Sequence, residues 1–130
     1  MDDFDLDGKI VAAIDDNEIV LKGMRGLLEV YGATVLTYNN GHDFLQDTPF
    51  VDCLVVDYYM PDFNGLDLVS ELRKRTYSAP VIILTGMSNE IRGERVAELE
   101  VKHVVEKSSG YHALLRAVQD AARASPGMTE

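Results

Sequence analysis

Apolar runs and amphipathic stretches alternate along this chain. Five short runs read as β-strands: Lys9–Ile14, Thr34–Tyr38, Cys53–Asp57, Val81–Leu84 and His103–Glu106. Helical patterns separate and follow them. The first spans Asn17 to Tyr31, with Val20, Met24, Leu27 and Tyr31 at spacings of 4, 3 and 4. A short helix runs from Gly41 to about Asp47. Pro61 to Gly65 is turn chemistry, and Asn64 reads as the N-cap of a helix reaching about Thr76, with Asp67 three residues on. Pro80 stands at the start of the fourth strand, where a missing N–H is tolerated. Ser88 caps a fourth helix to Glu98, whose apolar stripe is weak. Ser109 caps a last helix to about Ala124, carrying Leu114, Leu115, Val118 and Ala122.

Five strands alternating with five helices predict a parallel sheet covered on both faces, an α/β sandwich of three layers. Strand composition suggests the order. The first, third and fourth runs are continuously apolar, as central strands buried on both faces are. The second and fifth are mixed, as edges are. That pattern fits the doubly wound, flavodoxin-like order 2-1-3-4-5, with its switch point between the first and third strands.

The ends of the runs carry the chemistry. The first runs into Asp15-Asp16 and the third ends on Asp57. The fourth meets Thr85, and the fifth reaches Lys107 after one Glu. In an open parallel sheet these ends share one edge, where such folds place their sites. Three carboxylates there repel one another. Each pair at roughly 4 Å costs about 1 kcal/mol in water and about 4 at an effective dielectric of 20. A cation would compensate them, and oxygen ligands on strand-end loops suit Mg²⁺. Thr85 as donor and Lys107 as point charge could hold the oxygens of a phosphoryl group. Asp57 could accept that group as an acyl phosphate.

Composition narrows the classes. At 130 residues the chain suits one domain with its own core. No apolar stretch is long enough to span a bilayer. Residues 1–7, with four Asp and no basic residue, read as a loose acidic leader rather than a secretory signal. The cytoplasm is the expected compartment. Residues 125–130 read as a tail. A formal charge of −10 argues against direct nucleic-acid contact. The single cysteine, Cys53, sits inside a strand and reads as core. His42 and His112 lie in helices away from the strand ends and read as surface residues.

With these residues in register, residues 8–124 resemble the receiver (phosphoacceptor) domain of two-component response regulators. The resemblance rests on Asp15-Asp16, Asp57, the loop Met60-Pro-Asp-Phe-Asn-Gly65, Thr85-Gly86 and Lys107. It implies that Asp57 accepts phosphate from a sensor histidine kinase in bacterial signalling. It also implies that Asp16, Asp57 and the backbone carbonyl of Tyr59 ligate Mg²⁺, with Asp15 acting through a metal-bound water. Thr85 and Lys107 would sense the phosphoryl group. The face formed by the fourth helix, fifth strand and fifth helix would pass the change to a protein target, a histidine phosphotransfer protein or a second copy of the chain. Such a protein is a switch, not a turnover enzyme.

Three positions depart from the family pattern. Val104 stands where an aromatic switch residue is usual, which puts an aromatic relay in doubt. Ser108 replaces the usual Pro, so a cis peptide after Lys107 is not expected. Tyr59, two residues after Asp57, and Met87, two after Thr85, would border the path of an attacking water and slow dephosphorylation. A haloacid-dehalogenase-type phosphatase would need a second Asp at position 59 and room for a cap. A flavodoxin-like nucleotide binder would need a Gly-, Ser- or Thr-rich phosphate loop in place of Asp-Asp-Asn. A receiver acting without phosphorylation, as an interaction module, is the remaining alternative. No output module fits in this length. The native-looking start favours a stand-alone regulator over a receiver from a larger regulator or hybrid kinase.

Overall fold

A computed structural model describes residues 4–124. The elements in chain order are β1 (Ile10–Ile14), α1 (Glu18–Val30), β2 (Thr34–Tyr38), α2 (Gly41–Asp47), β3 (Cys53–Asp57) and α3 (Gly65–Lys74). They continue with β4 (Val81–Thr85), α4 (Gly93–Glu98), β5 (His103–Glu106) and α5 (Tyr111–Ala124). The sheet is wholly parallel, in the order β2-β1-β3-β4-β5. The order read from strand composition therefore holds. The central strands β3 and β4 are buried at every position, while β5 is mixed.

Side-chain alternation divides each strand between two cores. Val11, Ala13, Cys53, Val55, Ile82, Leu84 and Val105 face α1 and α5. Ala12, Ile14, Leu54, Val56, Val81 and Ile83 face α2 and α3. Cys53 is fully buried, and burial pushes its thiol far above the usual range. It is core, as its sequence position indicates.

Several local expectations change. The buried line of α1 runs through Leu21, Met24 and Leu28; it keeps Met24 of the predicted stripe, while Val20, Leu27 and Tyr31 pack beside it half-buried. Within the predicted loose leader, residues 4–7 are anchored. Leu6 is buried and its N–H donates to the Tyr31 carbonyl at 2.8 Å. Phe4 packs edge-on against Tyr31. An apolar residue at alternate positions gave this acidic segment enough surface to dock. Residues 1–3 and the tail at 125–130 lie outside the described residues.

α4 is much shorter than predicted. Ser88 does not cap it. Ser88–Glu90 form a 3₁₀ turn, and α4 begins only at Gly93 without a side-chain cap. Ser109 likewise closes a 3₁₀ turn, Lys107–Ser109, rather than capping α5. Gly110 follows at φ 89°, a conformation that favours glycine, and turns the chain into α5. α3 stops at Lys74, short of Thr76.

Candidate functional site

The C-terminal ends of β1, β3, β4 and β5 converge on one edge. Asp15 follows β1 and is 1% exposed; Asp57 ends β3 and is 5% exposed; Thr85 ends β4 and is fully buried. Asp16 is exposed. One carboxylate oxygen from each of Asp15, Asp16 and Asp57 lies within 4.8 Å of the others. The Lys107 ammonium reaches Asp57 Oδ1 at 3.0 Å and Asp15 Oδ2 at 3.7 Å. All five strand-end residues singled out in the sequence thus belong to this edge, with Asp15, Asp16, Asp57 and Lys107 in one cluster.

Local chemistry fixes the acids. Asp15 Oδ1 accepts from the Asn17 N–H at 2.9 Å. Asn17 in turn caps α1, its Oδ1 accepting from the N–H groups of Ile19 and Val20. The positive end of the α1 dipole therefore lies beside the acids. Asp57 is seated by its own backbone. The Gly65 N–H donates to the Tyr58 carbonyl at 2.7 Å, and the Tyr58 N–H donates to the Leu84 carbonyl at 2.8 Å. A Cβ at Gly65 would sit 2.8 Å from the Asp57 carbonyl oxygen, so glycine permits this approach. Asp62 Oδ2 accepts from Gly41 N and His42 N, and Asn64 Oδ1 accepts from Asp67 N. The loop after β3 is thereby tied to both α2 and α3.

Burial pushes the Asp15 carboxyl up, opposed by the Asn17 N–H and by Lys107. Burial also raises Asp57, opposed by the hydrogen bond from Lys107. For Lys107, burial would lower the ammonium, but the Asp57 hydrogen bond and the three acidic charges together leave it raised. One oxygen is left over. Asp15 Oδ2 is buried with no hydrogen-bond partner among the described residues, its ion pair to Lys107 being long. A buried orphan carboxylate oxygen beside two more acids fits a divalent cation with oxygen ligands.

Thr85 faces a different partner. Its hydroxyl accepts from Met87 N at 3.2 Å and lies 3.3 Å from the Met87 carbonyl. Beyond it, Glu106 Oε2 accepts from Ser88 N at 3.0 Å and from Ser88 Oγ at 2.6 Å. These bonds hold the Glu106 carboxyl below its ordinary value. Sequence pattern assigns Ser88 to a helix cap and Glu106 to a strand end, and does not join them. A carboxylate beside Lys107 at a strand end was the available signal.

Tyr59 is 56% exposed and meets Tyr58 edge-on, with ring centroids 4.9 Å apart; Met87 is 52% exposed. Val104 is half-buried against the core on the α2–α3 face. His103 Nε2 lies 2.7 Å from Asp120 Oδ2, joining β5 to α5. His42 packs on Phe63, and His112 lies beside Phe4 and Tyr111.

This edge, on this sheet, defines a class. A family model of the response regulator receiver domain matches residues 11–119, and the chain belongs to that family. Among curated relatives, the transcriptional regulatory protein CpxR of Klebsiella pneumoniae is 35% identical over 94 residues, covering 70% of this chain and 38% of CpxR. The chain therefore spans well under two thirds of that relative. A receiver domain protein of Clostridium thermocellum superposes with a TM-score of 0.77 at 26% identity, over 88% of this chain and 94% of the other. The response regulator TrrA of Thermotoga maritima, solved in complex with Mg²⁺-BeF, shares the fold: its TM-score is 0.78 at 24% identity, over 87% and 98% of the two chains. Receiver domains are signalling domains that interact with sensor histidine kinases and bind Mg²⁺ at an acidic pocket. Among the described residues, no helix is long and apolar enough to cross a membrane.

Proposed function

We propose that Asp57 is the phosphoacceptor of a two-component switch and that a sensor histidine kinase is the donor. The observation that carries this is a buried carboxylate held 3.0 Å from the Lys107 ammonium, in a cluster with two further acids. An Asp57 carboxylate oxygen attacks the phosphorus of the donor phosphohistidine. The new P–O bond forms as the P–N bond breaks, and the imidazole nitrogen leaves with the electron pair. Lys107 favours the ionised, nucleophilic form of Asp57 against the effect of burial, and would then pair with a phosphoryl oxygen.

Asp16, Asp57 and the Tyr59 carbonyl would hold Mg²⁺, with Asp15 reaching it through water. The cation supplies charge neutralisation during transfer. The unsatisfied Asp15 oxygen supports that assignment. The chain's own residues then sense the product. Phosphorylation adds nearly two negative charges and three acceptor oxygens. Thr85 would leave Met87 to donate to one of them, drawing the loop after β4. The α4-β5-α5 face would change its affinity for a protein target, a phosphotransfer protein or a second copy. Val104 is a short, stiff side chain and carries no aromatic relay. Exposed Tyr59 and Met87 would shade the acyl phosphate from water, giving a long phosphoryl lifetime.

Acetyl phosphate with Mg²⁺, followed by intact mass, tests the reading. The expected result is a gain of one phosphoryl group, abolished in Asp57→Ala and by chelation. A gain that persists in Asp57→Ala overturns it. Faster phosphoryl loss in Tyr59→Asn is the expected sign of shielding; an unchanged rate removes that role.

A further inference from the structure

Strand alternation puts Thr85 and Glu106 on the same face of the sheet, as register partners at the ends of β4 and β5. Between them runs a closed circuit of polar contacts outside the acidic pocket. Thr85 Oγ1 holds the Met87 backbone. The next residue, Ser88, gives both its N–H and its hydroxyl to one oxygen of Glu106. The residue after Glu106 is Lys107, whose ammonium rests on Asp57. The two groups that would read the phosphoryl state are thus joined by a second route through Ser88 and Glu106.

The segment this route restrains has little else to hold it near the site. α4 contributes no fully buried side chain and has no side-chain cap. Its firmer polar ties lie further on. Arg95 pairs with Asp67 at 2.8 Å, and Arg73 donates to the Leu99 carbonyl at 2.8 Å. Residues 86–92 are held by the contacts of Thr85 and Glu106, by the backbone bonds of the 3₁₀ turn, and by half-buried Ile91 packing on the core. A charged acceptor with two donors is among the stronger polar contacts available. It coexists with a Thr85 hydroxyl engaged on its own turn rather than on Asp57.

We infer that the Ser88–Glu106 contact is a positioning clasp that holds the β4–α4 loop in its resting place and sets how readily Thr85 can move towards Asp57. This rests on the phosphoacceptor reading and adds a regulatory element to it. Opening the clasp lowers the work of shifting the loop, so a ligand favouring the shifted form binds more tightly. Thr85 is the sensing group; Ser88 and Glu106 act through it.

Beryllofluoride with Mg²⁺, titrated into the full chain and followed by ¹H–¹⁵N spectra, tests this. Ser88→Ala and Glu106→Ala should each tighten apparent beryllofluoride affinity by at least about 5-fold, a typical coupling between linked sites. Resting-state resonances of residues 86–91 should move towards their bound positions. The double variant should add little to either single one. Glu106→Gln keeps an acceptor at the same reach and should fall back towards wild type. Thermal melts of all four variants establish that they are folded. Unchanged affinity in both alanine variants overturns the clasp. So does additivity, or a Gln variant identical to Ala, which would mark a bare charge effect beside Lys107. If wild type binds no beryllofluoride, the phosphoacceptor reading falls first and the clasp with it.

Discussion

The loops after β3 and β4 border the same site from neighbouring central strands, yet they are held unequally. The β3–α3 loop is pinned on both sides, by close backbone packing at Gly65 and by side-chain ties to two helices. Gly65 packs on Asp57, Asp62 accepts from the first N–H groups of α2, Asn64 caps α3, and α3 buries Gly65, Leu66, Leu68, Val69 and Leu72. The β4–α4 loop is pinned by side chains. Thr85 holds Met87, Glu106 holds Ser88, and α4 buries none of its residues fully. In the proposed function Asp57 needs a fixed position for in-line attack. The proposed sensing segment needs a second position within reach, and such segments come from the weakly held parts of a fold. The same sheet edge thus carries one firmly packed half and one lightly packed half.

The largest effect should separate the two helices directly. Leu68→Ala should cost about 2–5 kcal/mol in urea unfolding, because a fully buried side chain leaves a cavity. Val96→Ala in α4, half-buried, should cost less than about 1 kcal/mol. Similar costs would erase the contrast. Next, Gly65→Ala should destabilise by about 1–3 kcal/mol, since the new Cβ meets the Asp57 carbonyl oxygen and the Tyr58 Cα. It should also slow phosphorylation, while Gly86→Ala, where a Cβ meets nothing, should not. Equal phosphorylation rates in both variants would remove the seating role.

A smaller effect comes from charge. Burial holds the Asp15 and Asp57 carboxyls above their ordinary value of 3.8. Acids raised on folding contribute stability that is fully present below the unfolded pKa and lost as pH rises through the folded one. Cation-free protein should therefore carry a penalty at neutral pH that acidification relieves until general acid unfolding begins. Asp57→Asn should raise Tm at pH 7 by the equivalent of about 1 kcal/mol and flatten this slope. Saturating Mg²⁺ should stabilise wild type more than the variant. Thermal melts across pH, with and without Mg²⁺, check all three.

The fold was legible because burial on two faces writes itself into sequence. β1 is apolar throughout, β3 and β4 are apolar up to Asp57 and Thr85, and this places them at the centre. The five strand-end residues were legible because a parallel sheet brings its strand ends to one edge. What failed was local and polar. Ser88 satisfies the usual capping preference, yet its hydroxyl binds Glu106 eighteen residues away. Capping chemistry cannot see a competing acceptor on another strand. Ser109 also satisfies the capping preference, yet it closes a 3₁₀ turn and Gly110 at positive φ leads into α5. In the N-terminal segment the acids dominate the composition, though Leu6 and Phe4 decide the packing of residues 4–7. Gly65 was visible as turn chemistry, but its closeness to the Asp57 backbone belongs to tertiary structure alone.

Hydrogen exchange of the full chain in Mg²⁺, with and without acetyl phosphate, tests the contrast between the two loops most directly. The account predicts altered exchange across residues 86–101 and the β5 end, with residues 58–74 unchanged. Altered exchange concentrated in residues 58–74, with residues 86–101 unmoved, would contradict it.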